Sequence, residues 1–322
     1  MRRFLIWSGR TLAVLFGLAL LGAAYESVSE ASDSRAYPPP GQMVDVGGYR
    51  LHINCTGSGS PTVVLLPGAG EISSAWGWVA PVVARDSRVC VYDRAGRGWS
   101  EGATSQQDGI ALAADLHTLL DRAHEAGPYL LVGHSFGGLY VLNFAARYID
   151  QVAGVVLLDS THPDMFTRLP KYPFIYEAYR RVSAVFPSLA RLGIGRVAYR
   201  SNFDKLPLQS RREEVAFWST ARAARSQRDE WAEAPVVMRQ AHSLATLGAR
   251  PLIVVTAAEE AQEGWIPLQR ELATLSTNSQ HRVVPNATHT SLVDDERQAS
   301  NSTDAIRAVM QAARSGSPLA AR

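Results

Sequence analysis

Short apolar runs alternate with longer stretches of helix-forming residues through most of the chain. The runs at 62–66, 88–92, 129–132, 153–159 and 251–256 are apolar at nearly every position. Continuous runs of that kind fit strands buried on both faces of a parallel sheet, where neither face is left for polar residues. Shorter or more mixed runs at 43–46, 49–54 and 281–284 bring the expected strands to eight. Between them lie stretches of helical length and composition, such as Leu139 to Tyr148 and Glu296 to Ala312. The alternation predicts an α/β fold, a mostly parallel eight-stranded sheet with helices on both faces.

The strand rhythm stops between Ser160 and Arg250. Residues 161–249 are expected to form a helical cap inserted into a core of residues 41–160 and 250–313. The insertion carries Tyr172, Phe174, Tyr176, Tyr179, Phe186, Phe217, Trp218 and Trp231, with Pro170, Pro173, Pro187 and Pro207 as punctuation. A lid over the carboxyl edge of the sheet would exclude water and supply an apolar pocket, although each aromatic taken singly reads as packing. At 322 residues and 46% hydrophobic, the chain can bury a core of ordinary size. Its net charge of +2 is too near balance for a nucleic-acid partner. The arginine-rich patches at 180–228 are mixed with acids and read as solvated helix faces.

One motif carries chemistry. Gly133-His134-Ser135-Phe136-Gly137 is a G-x-S-x-G placed between the run Tyr129 to Val132 and a helix-forming stretch. A serine at such a strand-to-helix turn projects its hydroxyl from the sheet, and the flanking glycines relieve the crowded backbone crossing. Serine needs a base to take its proton, usually a histidine oriented by a carboxylate. His289 is the best placed of eight histidines, in the loop Pro285-Asn286-Ala287-Thr288-His289-Thr290 after the last run. His134 points elsewhere by strand alternation. His52, His117, His124, His162, His242 and His281 read as surface or packing residues. Asp159, at the carboxyl end of the sixth run, is the favoured acid, with Glu260 and then Glu259 after the seventh run as alternatives. An oxyanion hole would use the backbone N–H of Phe136 and that of Ala69, in the turn Pro67-Gly68-Ala69-Gly70 after the third run.

These residues resemble the α/β-hydrolase family over about residues 41 to 313. Asp93-Arg94-Ala95-Gly96-Arg97-Gly98-Trp99-Ser100 is similar to the family's D-x-x-G-x-G-x-S segment after the fourth strand. The resemblance implies a serine hydrolase acting through an acyl-enzyme without metal or organic cofactor. Relatives that open epoxides or remove halide carry aspartate at the elbow, and Ser135 argues against both activities. Two departures stand out: Pro67, where many members have histidine, and Ala258-Glu259-Glu260, where many have an Asp-type acid. In the family's topology the strands of Cys55 and Cys90 are neighbours, which makes one disulfide the expectation and two buried free thiols the alternative.

Arg2 and Arg3, then Ser8-Gly9-Arg10, precede an unbroken small and apolar run from Thr11 to Ala24. Residues 1–25 read as a signal anchor or a signal peptide. From Phe4 to Tyr25 a helix would span about 33 Å, enough for a bilayer if Arg10 snorkels. Gly22-Ala23-Ala24 is the alternative cleavage site. Basic residues before the run and none inside it put the bulk of the chain outside the cytoplasm, anchored to the membrane or secreted. Residues 26–40 read as a linker and 314–322 as a frayed tail. The function expected is hydrolysis of small to medium apolar carboxylic esters, a small-molecule substrate class. The alternatives are a lactone, amide, thioester or C–C bond hydrolase or acyl transferase with the same residues, and a catalytically dead binding protein on this fold. The natural substrate and the oligomeric state are left open by the sequence.

Overall fold

The continuous apolar runs become the inner strands of one eight-stranded sheet in the computed structural model of the chain, which describes residues 2–199 and 202–320 apart from the side chains of 2–6 and 8–9. The strands are β1 Gln42–Asp45, β2 Arg50–Thr56, β3 Thr62–Leu66, β4 Val89–Tyr92, β5 Tyr129–His134, β6 Val152–Leu158, β7 Leu252–Ala257 and β8 Ser279–Val284. Their spatial order is β1-β2-β4-β3-β5-β6-β7-β8, antiparallel at β1–β2 and β2–β4 and parallel elsewhere. Every expected strand is present within two residues of its expected ends. Strands β3, β5 and β7 are buried at every position, whereas β8 at the edge is only half-buried.

Thirteen helices surround the sheet among the described residues. They are α1 Arg2–Ala36, α2 Ala80–Val83, α3 Gly109–Arg122, α4 Phe136–Arg147, α5 Met165–Arg168, α6 Tyr172–Ser183, α7 Phe186–Arg191, α8 Ile194–Ala198, α9 Leu208–Trp218, α10 Ala221–Ala241, α11 Trp265–Ala273, α12 Ser291–Asp294 and α13 Ala299–Ser315. Two apolar clusters result, one per face of the sheet. The first includes Leu116 and Leu119 of α3, Leu139 and Phe144 of α4 and Val237 of α10; the second includes Val83 of α2, Leu292 of α12 and Ile306 and Val309 of α13. Helices α5 to α10 fill the insertion between β6 and β7, and form the cap.

A buried carboxylate ties that cap to the core. Glu230 of α10 accepts from Arg94 Nη2 at 2.7 Å, Tyr140 Oη at 2.7 Å, Arg97 Nη2 at 2.9 Å and the Gly70 N–H at 2.9 Å. Burial alone would raise its pKa, but the two guanidinium groups outweigh burial and hold it below the ordinary carboxylate range. With four donors on two oxygens, neither lone-pair set is stranded away from water, which is the condition for burying a charge.

The structure corrects four expectations. Residues 26–36 are not a linker, because α1 continues to Ala36 and its Glu26 and Asp33 both pair with Arg196 at 2.7 and 2.5 Å. The serines tolerated there bond back to the preceding turn, Ser27 to Ala23 O and Ser34 to Ala31 O. The arginines of 180–228 are not uniformly solvated: besides Arg196, Arg222 donates to the carbonyls of Ser100 and Gly98. Helix α13 begins at Ala299 rather than Glu296 and runs on to Ser315. Residues 316–320 are not frayed, since the Leu319 N–H donates to Asn278 and Gln280 donates to Ala320 O, which fastens them beside β8. The side chains of Arg2, Arg3 and Phe4 to Ile6, and residues Ala321 and Arg322, lie outside the described residues.

Cys55 and Cys90 face each other across the β2–β4 register and are disulfide-bonded, rather than being two free thiols. The bond closes a loop of 35 residues. A Cys55→Ser/Cys90→Ser variant should be about 3 to 4 kcal/mol less stable in guanidinium unfolding, on loop-entropy grounds. Removing one partner of the Glu230 network leaves two buried guanidinium groups uncompensated. Glu230→Ala is therefore expected to lose about 3 to 5 kcal/mol, read by the same titration.

Candidate active site

The turn from β5 into α4 is tighter than ordinary backbone allows. Ser135 has φ 53° and ψ −123°, a left-handed conformation that a non-glycine residue adopts only when its surroundings enforce it. The surroundings do so from both sides. The Ser135 N–H donates to Leu158 O of β6 at 3.1 Å, and its carbonyl accepts from Gly138 and Thr161 at 3.0 Å each. No side chain fits where the chain crosses: a Cβ on Gly137 would lie 2.1 Å from Leu66 O, and one on Gly133 would lie 2.5 Å from the Gly138 nitrogen.

Two loops bring further groups to this turn. Asp159, the first residue after β6, has φ 40° and is 3% exposed. Its Oδ1 accepts from Trp265 Nε1 at 2.7 Å and from the Ala257 N–H at 3.2 Å, and its Oδ2 accepts from His289 Nδ1 at 2.6 Å. With Nδ1 donating to a carboxylate, His289 presents Nε2 to Ser135 Oγ at 2.9 Å. The three side chains thus form one continuous hydrogen-bonded series. The His289 side chain is 46% exposed, so the series ends at an accessible edge. Glu259 and Glu260 are both exposed, and among the described residues neither side chain is bonded to His289.

The turn after β3 has its polar groups assigned one by one. Arg94 donates to Pro67 O at 2.7 Å and to Gly68 O at 2.6 Å. Glu71 accepts the Gly68 N–H at 2.6 Å, and Glu230 accepts that of Gly70. Among the described residues the Ala69 N–H has no acceptor. The Phe136 N–H, at the first position of α4, has none within its helix by geometry. Gly70 takes φ 78°, and a Cβ there would lie 2.6 Å from the Trp218 ring. Asp93, first residue of the D-x-x-G-x-G-x-S segment, accepts from the Trp99 N–H of its own loop at 3.2 Å and ties that loop to the segment after β3 by accepting from the Ser73 N–H at 2.6 Å.

Sequence reasoning missed the partners of His134. Its Nδ1 faces the Glu71 carboxylate at 3.1 Å and its Nε2 faces the carbonyl of His289 at 3.0 Å. Both ring nitrogens face acceptors, so the ring carries both protons. Burial would lower its pKa, yet the Glu71 charge and the two hydrogen bonds outweigh burial and bring it to about 8. Glu71 is correspondingly held below the ordinary range despite its own burial. Glu214 of α9 is the contrasting case. Burial first, and the neighbouring Glu71 and Asp93 carboxylates next, push it well above the ordinary range, and its Oε2 has no partner.

Aromatic rings wall the cap side. Phe136 lies 5.4 Å from Trp231 of α10, which lies 4.7 Å from Tyr179 of α6. A cavity of about 500 Å³ borders Arg94, Tyr140, Arg222, Glu230 and Glu233, without reaching Ser135 or His289. His162, Asp164 and Glu271 bring ligand-type atoms within 4.8 Å of one another, and share no residue with the Ser135 series.

Comparison with known proteins gives a consistent picture of the fold. The chain is 29% identical over 302 residues to an uncharacterized protein of Schizosaccharomyces pombe, covering 81% of this chain and 54% of that one. It therefore spans about half the length of the curated relatives it matches. Among solved structures, an esterase from Thermogutta terrifontis superposes with a TM-score of 0.61 at 22% identity, over 85% of this chain and 99% of that one. The epoxide hydrolase CorEH superposes with a TM-score of 0.64 at 21% identity, over 82% and 96%. Identities this low speak to fold alone. The model of the "Alpha/beta hydrolase family" matches residues 63–301, most of the chain and every element that surrounds Ser135. This protein belongs to the α/β-hydrolase family.

Proposed function

We propose that this chain is a serine hydrolase that cleaves carboxylic esters through an acyl-enzyme on Ser135. The observation that carries the reading is the series Ser135 Oγ, His289 Nε2, His289 Nδ1, Asp159 Oδ2, with spacings of 2.9 and 2.6 Å. As Ser135 attacks the ester carbonyl, His289 takes the hydroxyl proton, and the buried Asp159 stabilises the imidazolium that results. The carbonyl oxygen becomes an oxyanion, which the uncommitted N–H groups of Ala69 and Phe136 stabilise. His289 then protonates the leaving alcohol, and water activated by the same histidine releases the acid. A serine at the elbow separates this chemistry from that of the epoxide-hydrolase neighbour's class, in which the family resemblance implies an aspartate.

The His134–Glu71 pair is read as a brace, joining the residue before Ser135 to the turn that holds Ala69 and to the backbone of His289. The N-terminal helix is read as a membrane anchor that places the hydrolase outside the cytoplasm. Arg10–Ala36 is long and apolar enough to cross a bilayer, and only 6% of its most apolar stretch is buried against the protein.

Ser135→Ala and His289→Ala should each lower kcat for p-nitrophenyl acetate by about three to six orders of magnitude without unfolding the chain. Asp159→Asn should cost about four orders, and Glu260→Gln almost nothing; the opposite ranking would move the acid to the later strand. The brace makes stability depend on pH in one direction. A His134 pKa raised from near 6.5 to about 8 contributes stability that is complete below pH 6.5 and lost as pH rises through 8. The loss is about 2 kcal/mol at 1.36 kcal/mol per unit. The groups facing the ring are Glu71, Asp159, Asp294 and His289. Urea titrations from pH 6 to 9 should show that loss in the wild type relative to His134→Gln, whose curve lacks it.

A further inference from the structure

Beyond α1, exposed large apolar side chains concentrate in one segment of this molecule. Of the ten outside that helix among the described residues, seven lie between Phe174 and Val197, on α6, α7 and α8 or at the turn between the first two. Scattered exposed apolar residues are ordinary, but a concentration of them in one short segment marks a contact surface. Ile175, Val182, Val185, Leu189, Ile194 and Val197 are all more than a third exposed, Val197 to 76%. The same segment, 171–198, carries five cations, Lys171, Arg180, Arg181, Arg191 and Arg196, against the single anion Glu177.

The occupant of this face is fixed by where α1 touches it. The backbone of Gly22 lies against the carbonyl of Leu192, so closely that a Cβ on Gly22 would sit 2.5 Å from that oxygen. Tyr25 packs beside Gly193, and Glu26 and Asp33 hold Arg196. Gly22 belongs to the apolar run Thr11 to Ala24, about 3 Å from its end at 1.5 Å per residue. If that run lies in the hydrocarbon, the α7–α8 junction stands at the boundary of the bilayer and not above it. The polar pairs, Glu26 and Asp33 with Arg196, begin where the run ends.

We propose that the exposed face of α6 to α8 is seated in the boundary of the bilayer that α1 spans, so that the site draws on esters dissolved in that membrane. The proposal rests on the anchor and esterase readings above, and names their substrate class. Arg180 and Arg181 pair with Glu177, and Arg196 with the acids of α1, so apolar side chains enter the acyl boundary while Lys171 and Arg191 meet lipid phosphates, the arrangement of an interfacial surface. From this face the rings of Tyr179, Trp231 and Phe136 form an apolar succession that ends beside Ser135.

The test uses the full chain in vesicles of phosphatidylcholine and phosphatidylglycerol, with one nitroxide at an introduced cysteine; the native cysteines are bonded to each other and do not compete. Labels go at Leu15 in α1, at Val185 and Val197 in the cap, and at the fully exposed Asp150 as the aqueous reference. Power saturation with oxygen and a nickel chelate should give lipid-like accessibility at Leu15, Val185 and Val197, and water-like accessibility at Asp150. A lipid-like Leu15 with water-like Val185 and Val197 leaves the anchor standing and overturns the seated cap. A water-like Leu15 removes the anchor reading and the proposal with it, and dipolar coupling between copies at Val197 assigns the face to self-association instead. In a Val185→Asp/Val197→Asp variant, turnover of vesicle-borne p-nitrophenyl palmitate should fall about tenfold, the equivalent of 1.4 kcal/mol of lost interfacial contact. Turnover of soluble p-nitrophenyl acetate should not change. Equal loss on both substrates, or on neither, refutes delivery from the membrane, and hydrolysis of the soluble ester by the wild type checks the esterase reading separately.

Discussion

The left-handed turn at Ser135 is the constraint on which the rest of the molecule is arranged. A residue held there costs on the order of 1 to 3 kcal/mol, and it persists only where neighbouring backbone over-determines it. Here β3 and β6 flank β5 in parallel, so the carboxyl ends of all three strands emerge at one edge. That edge delivers Ala69 from the first, Asp159 from the second and Ser135 between them. An antiparallel neighbour would send one of these loops to the opposite end of the sheet. The parallel order is thus a requirement of the site as well as of burial.

Ionic groups near the turn are treated in two opposite ways. Glu230 and the His134–Glu71 pair remain charged because each has enough donors or acceptors to replace water. Glu214, with one long contact from the Ile72 N–H at 3.4 Å, is pushed toward its neutral form. The difference lies in the number of partners, since all three groups are largely withdrawn from solvent. Charge is retained where it organises a backbone turn.

Strands buried on both faces were legible because the constraint acts on every residue of the run: 62–66, 129–132 and 251–256 leave no polar alternative. Ser135 was legible from the two glycines that the crossing demands, and Asp159 and His289 from their places just past strands. Glu71 lies one residue beyond the glycine turn, and an acid abutting a crowded loop was the available signal. Glu230 had none. Its partners lie 90, 133, 136 and 160 residues away, and no local period reports such pairing. The continuation of α1 past Tyr25 was hidden for a related reason: a stretch rich in Ser and Glu is neutral in propensity, and its helical state accompanies the distant pairing with Arg196. Motifs reveal crowding and local burial, whereas long-range ion pairs are written only in three dimensions.

The saturation of Glu230 bears on how this chain can diverge. Its carboxylate belongs to the cap, yet its donors come from the β4 loop, from α4 and from the glycine turn after β3. A cap exchanged wholesale with that of another relative would strand Arg94 and Arg97 unless the incoming helix carried an acid in the same register. Single side chains such as Tyr179 or Trp218 lie outside that network and can be replaced without touching it, whereas replacement of the whole cap meets an electrostatic lock. The cap is bound electrically to its floor.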